Sequence, residues 1–214
     1  MIRFVWIHGV FFIQNTSICI SNFQYEDRPF QLSYPRKVGV DSVVWFWNFV
    51  IYSFFGFLLE IAFARGTGGR MDRKCLLLLP LCPVYGLGGS AILLLTPLVE
   101  HSPVLLFVLG GATATVVEYV VAAWYEDGLG VSFWDYTGLP GNVRGRVCLP
   151  FSIAWGVLSL GLVYWVHPVV QRWEGAIPLP VTLAMIMLVG ADLVVSGIMM
   201  KRTGDRRCLQ WYRK

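Results

Sequence analysis

Charge is what this sequence has least of. Of its 214 residues only 14% are Asp, Glu, Lys or Arg, where a soluble domain carries about 25%. A chain that is 56% hydrophobic cannot cover a globule with polar surface, so the lipid bilayer is its solvent. A P-loop is missing too: no GxxxxGK[ST] pattern occurs, and GTGGR at 66–70 has neither the lysine nor the spacing, which excludes ATP binding by that device. No HExxH and no GxSxG occurs, so the metalloprotease and serine-hydrolase frameworks are absent. The five cysteines, Cys19, Cys75, Cys82, Cys148 and Cys208, form no CxxC pair. They read as reduced, buried thiols and not as a disulfide or zinc framework; no metal and no cofactor is expected. His8, His101 and His167 are far apart in sequence and read as interfacial or loop histidines. A net charge of +4 is too small for a nucleic-acid surface and suits cytoplasmic loops. There is no repeat of 20–50 residues, no linker and no low-complexity tract.

What is present is apolar length. Five segments, roughly 42–64, 75–97, 103–124, 147–168 and 179–200, meet the requirement of about 20 apolar residues for a membrane span. Nine Trp and nine Tyr suit the aromatic belts at membrane surfaces. The fold class is therefore all-α: a polytopic membrane helix bundle of five transmembrane helices. Residues 1–41 are set apart as an N-terminal tail, 42–201 as the bundle and 202–214 as a basic cytoplasmic tail. The apolar run Phe4–Ile13 is short for a span. It reads as a signal peptide without a small-residue cleavage site, as an interfacial helix, as residues upstream of the true start, or as a sixth helix.

The connections alternate in charge. Residues 65–74 hold Arg65, Arg70, Arg73 and Lys74; 125–146 hold Arg144 and Arg146; the tail after Met200 holds six basic residues. Residues 98–102 hold none, and 169–178 hold only Arg172. The positive-inside rule places the basic connections and the C-terminus in the cytoplasm and the N-terminal tail outside, in a cell membrane.

Few acids lie within the spans. Tyr52, Gly56, Glu60 and Ala64 fall on one helical stripe, and Gly110, Ala114, Glu118 and Ala122 on another. Small residues let helices approach closely, so each stripe turns its carboxylate to a neighbour and away from lipid. Asp192 lies inside the fifth span with Ser196 one turn on. A structural role, as an ion pair or a hydrogen-bonded acid, is the plain alternative to a functional one for each acid. In the second segment, LLLLPLCPVYGLGGS, Pro80 and Pro83 each remove a donor and predict a kink. Between the third and fourth spans runs WDYTGLPGNVRGRVCLPFSIAWG, Trp134–Gly156, polar and broken by glycine. Such backbone belongs where it is buried in protein or lines a watery cavity. We expect Glu60, Glu118 and Arg146 to share a polar pocket with Tyr52 and Tyr85 nearby. We further expect Asp135 to pair with Arg144 or Arg146 and close the pocket's cytoplasmic end, while Glu126 and Asp127 stay solvated.

These motifs resemble the ABC-transporter type IV permeases, also called the CmpB-like family of bacterial membrane proteins. Tyr52, Gly56 and Glu60 match its Tyr-x-x-x-Gly-x-x-x-Glu helix. Pro80, Pro83, Tyr85 and Gly86 match its Gly-Pro-x-x-Pro-Ile-Tyr-Gly segment, with Leu79 in place of the first Gly. Glu118, Tyr119 and Glu126 match acids and a tyrosine that follow. Trp134, Asp135, Tyr136, Asn142, Gly145 and Arg146 match its Trp-Asp-Tyr-Ser…Asn-x-x-Gly-Arg-Ile stretch, with Thr137 and Val147 as changes, and Ser152, Trp155 and Gly156 complete it. The resemblance covers about residues 45–170. It implies a transport component moving a small polar solute, with Tyr52, Glu60, Tyr85, Glu118, Asp135, Asn142, Arg144 and Arg146 lining the path. It also implies a separate ATPase subunit, membrane lipid as surroundings and, for so small a unit, a homo-oligomer. Two other readings stay open: a membrane-embedded enzyme acting on lipid head groups or lipid-linked intermediates, with Glu118 and Asp135 as acid and base, and an accessory structural subunit.

Overall fold

The computed structural model describes residues 3–7, 10–14, 38–68, 77–174 and 176–209. It falls into two units, 1–33 and 34–214. In the first, strands β1 (Arg3–Ile7) and β2 (Val10–Gln14) pair antiparallel, with Arg3 opposite Gln14 and Ile7 opposite Val10. A strand pair thus stands where a signal peptide, an interfacial helix or a sixth span was read.

The second unit is all-α. Its helices are α1 (Val38–Gly66), α2 (Pro83–Val99), α3 (Pro103–Leu129), α4 (Leu149–Gly161), α5 (His167–Glu174) and α6 (Leu179–Thr203). A π-helical turn, Leu162–Val166, joins α4 to α5, so that Leu149–Glu174 is one membrane-length segment. Among the described residues, four segments are long and apolar enough to cross a membrane: Ser42–Gly66, Pro103–Leu129, Leu149–Glu174 and Leu179–Thr203. Proline sits in the first two positions of α2, α3, α4 and α6, where the N–H it lacks would have no partner and its fixed φ suits the helix. Gly130 and Gly204 end α3 and α6 in the left-handed conformation.

The second span departs from expectation. Helix α2 starts at Pro83 and has 17 residues, roughly 26 Å at about 1.5 Å per residue, somewhat short of the ~30 Å hydrocarbon core. Each proline biases its predecessor against the α region, and Cys82 is extended at φ −112°, ψ 93°. Residues 77–82 are therefore non-helical backbone that must find partners outside its own segment. Asp192 of α6 supplies two of them: the Leu78 N–H donates to Oδ1 at 3.0 Å and the Leu79 N–H to Oδ2 at 2.7 Å. The Ser196 hydroxyl donates to the same Oδ1 at 2.8 Å, and the Cys82 N–H donates to the Ser53 carbonyl of α1. Among the described residues Asp192 is thus a hydrogen-bonded acid and not half of an ion pair.

Helix α1 packs on α2, α2 on α3 and α3 on α4. The close approaches are made at glycine. A Cβ on Gly86 would collide with Ser53 of α1, and one on Gly111 would sit 3.0 Å from the backbone nitrogen of Gly156. Every residue of the second stripe, Gly110, Ala114, Glu118 and Ala122, is buried, as small residues at helix contacts are expected to be. The opposite surfaces are apolar and exposed: Leu98 is 79% exposed, Val104 73% and Met187 74%. In a bilayer these face lipid. Two core clusters lie inside, one around Trp47, Leu77, Tyr125 and Phe133, the other around Tyr52, Ile92, Leu106 and Trp155. The antiparallel order brings the ends of α1, α3 and α6 and the beginnings of α2 and α4 to one end of the bundle, where Arg206 Nη1 donates to the Phe133 carbonyl at 2.6 Å.

Candidate functional site

At that end the two stripe carboxylates, from α1 and α3, face one cavity of about 190 Å³. Glu60 Oε1 accepts from the Tyr85 hydroxyl of α2 at 2.9 Å. Glu118 Oε1 accepts from the Tyr136 hydroxyl at 3.0 Å, and its Oε2 from the Trp155 indole of α4 at 2.9 Å. Tyr136 reaches in from the 130–148 loop and stacks on Phe151, rings 4.6 Å apart and 18° from parallel. Tyr85 and Trp155 touch, with centroids 5.0 Å apart. Every donor here is a neutral phenol or indole. No Lys, Arg or His among the described residues lines the cavity. Two carboxylates in one low-dielectric space repel each other; a cation or a group rich in N–H donors is their complement. Among the described residues no three His, Cys, Asp or Glu side chains come together to hold a metal.

The cavity's loop wall is built on Gly145. Arg144 and Gly145 are both left-handed, φ 55° and 70°. A Cβ at Gly145 would lie 2.5 Å from Asp135 Oδ1 and 2.9 Å from Thr137 Oγ1, so only glycine fits, by conformation and by space. The Gly145 carbonyl accepts from the Tyr136 N–H at 2.7 Å, and the Gly145 N–H donates to Asn142 Oδ1 at 3.4 Å. The Trp134 indole donates to the Arg146 carbonyl at 2.8 Å. Burial, with the Glu118 carboxylate beside it, pushes the Tyr136 hydroxyl well above the ordinary phenol range, so it remains a donor.

The expected residues therefore divide. Glu60 and Glu118, one from each stripe, line one cavity with Tyr85 of α2. Arg146 does not line the cavity: its Nε and Nη2 bind Glu126 Oε2 at 2.8 and 2.7 Å, and its guanidinium lies 5.3 Å from the Tyr119 ring centre. Glu126, read as solvated, is thus half of an ion pair whose side chains are 12% and 31% exposed. Asp135 pairs with neither arginine. Its Oδ1 accepts from the Thr137 hydroxyl at 2.6 Å and the Thr137 N–H at 2.8 Å, and these bonds hold its carboxyl below the usual carboxylate range. The physical reason is local: an acid two residues before a Thr closes its own turn sooner than it reaches a distant guanidinium. Asn142 and Arg144 are exposed on the loop. Tyr52 does not line this cavity; its hydroxyl lies 2.6 Å from His167 Nδ1. His167 is fully buried, not a loop histidine. Tyr136 and Trp155, the two donors to Glu118, were not among the expected site residues, though both stand in the motif stretch.

A protein family described as "Putative ABC-transporter type IV" matches residues 47–197. That is well over half the chain, and the chain belongs to this family. No curated protein and no solved structure matches it.

Proposed function

We propose that this member of the ABC-transporter type IV family is the membrane-spanning component of a transport system. In this reading the cavity between Glu60 and Glu118 receives the positively charged part of a small polar solute. One observation carries it: two carboxylates from different helices face a common space whose walls, among the described residues, supply no cation. A structural ion pair would bring its own counter-charge; this pair leaves that charge to a ligand.

The family description supports a partner ATPase. The end of the bundle that gathers the basic connections is the surface it would meet, with the loop around Gly145 held stiffly between α3 and α4. The positive-inside rule puts this end in the cytoplasm of a cell membrane. A five-segment unit that exposes apolar surface on α6 also suits association with a second copy. Two measurements test the reading. Pull-down in mild detergent should recover an ATPase with the chain. Uptake of a cationic solute should fall about tenfold or more in Glu118→Gln at unchanged abundance. Recovery of no ATPase, together with full activity of Glu118→Gln, would sink it.

A further inference from the structure

Beside the polar cavity lies a second, larger space of about 450 Å³, within the range of small-molecule sites. It is lined by Tyr52, Gly56, Gly89, Gly161, Leu162 and Val166, among others. Its walls are almost wholly apolar, and its lining residues Phe55 and Leu58 of α1 and Val166 of the π-helical turn are 41%, 43% and 37% exposed, on an apolar surface that would face lipid in a bilayer. The two spaces are neighbours: Leu59, Tyr85, Trp155 and Leu158 line both. Tyr85 and Trp155 each place their polar atom on a carboxylate while belonging to the apolar wall as well. Such side chains, apolar in body and polar at one edge, suit a boundary between an oily and a polar compartment.

We propose that the apolar groove holds the alkyl chain of a membrane amphiphile whose ammonium head group lies between Glu60 and Glu118. This rests on the cation-accepting cavity argued above and names its ligand class. Charge complementarity selects the head, since two carboxylates in a cavity lined by no cation among the described residues favour ammonium over phosphate or sulfate. The groove's opening toward lipid lets the chain slide in sideways without crossing water. The π-helical turn contributes Leu162 and Val166 to the wall, a placement common for π turns at functional sites.

The test is saturable binding of radiolabelled dodecylammonium to the protein in digalactosyl diacylglycerol vesicles, a lipid without an ammonium group. Partition into protein-free vesicles is subtracted. We expect saturable binding that dodecanol does not displace, weakened about tenfold in Glu60→Gln and in Glu118→Gln. Should Glu118→Gln fail to fold, Glu60→Gln decides, because among the described residues that acid accepts only the Tyr85 bond. Gly161→Leu adds a side chain at the groove wall, where a Cβ meets nothing within 4 Å, and should weaken binding by about tenfold as well. Butylammonium should displace the probe only at about a hundredfold higher concentration. If butylammonium displaces as well as dodecylammonium and Gly161→Leu binds normally, the amphiphile is overturned and the cation cavity stands. If dodecanol displaces equally, if both carboxamide variants bind like the wild type, or if no saturable binding exists, the cation cavity falls and the amphiphile with it.

Discussion

At the scale of single residues, the loop motif serves Gly145 and Arg146 more than it serves a ligand. Trp134 and Tyr136 bind their carbonyls, Asn142 accepts the Gly145 N–H, and Asp135 with Thr137 packs where a Gly145 Cβ would stand. Gly145→Ala combines a left-handed φ with a collision, so we expect a loss of about 1–3 kcal/mol, read as a lowered melting temperature in detergent. The Arg146–Glu126 pair is partly buried. Arg146→Gln and Glu126→Gln should each lower the melting temperature, Arg146→Gln by more, because it leaves Glu126 without its partner, whereas Arg146 in Glu126→Gln keeps Asp127 at 3.8 Å. The double variant should cost less than the sum, and a double-mutant cycle on thermal unfolding measures the difference. Asp135 makes a pH prediction. Its folded pKa lies below the unfolded value of about 3.9, so its contribution is present above that value and is lost as pH falls through the lower folded one. Protection of the Thr137 amide, taken as its exchange rate relative to the intrinsic rate at each pH, should therefore fall below about pH 4 in the wild type and lose that dependence in Asp135→Asn.

At the scale of elements, the five apolar segments and both stripes were legible because their signal is periodic and local. Gly110, Ala114, Glu118 and Ala122 lie a turn apart and share a buried face, so the carboxylate's direction follows from the chain itself. The break at Pro80 and Pro83 was legible as a kink, but its extent was not. How far backbone can leave the helix depends on who accepts its N–H groups, and the acceptor here is Asp192, 114 and 113 residues along the chain from Leu78 and Leu79. Glu126 was misread for the same reason: no helical period links it to an arginine 20 residues on. Asp135 was misread because the long-range arginine was weighed and the adjacent Thr137 was not. Asp192→Ala would leave two N–H groups at membrane depth with no acceptor, and we expect about 2–5 kcal/mol of destabilisation. Asp192→Asn keeps one acceptor oxygen and should lose less. Thermal unfolding of the two variants in one lipid mixture gives the ranking; equal stability of wild type and Asp192→Ala would refute the role.

At the scale of the whole molecule, one end of the bundle carries both the carboxylate cavity and the basic connections, and the other carries the short turns after α2 and α5. This makes an orientation experiment simple. Cysteines introduced at the exposed positions His101 and Ala176 should react with an impermeant thiol reagent added outside cells. A cysteine at the exposed Leu139 should react only after permeabilisation. The reverse pattern would invert the assignment and place the cavity on the outer face.

The Asp192 clamp also bears on how the protein is made. A chain grows from its N-terminus, so the Leu78 and Leu79 amides enter the bilayer well before the residue that accepts them exists. Hydrocarbon offers no substitute acceptor, and each open amide there is costly. Until α6 arrives, the nascent bundle holds an unfinished seam at the threshold of α2. Helix α6, synthesised after α1 to α5, is the one that seals it, so the order of synthesis leaves this seam open while the preceding helices are already in place.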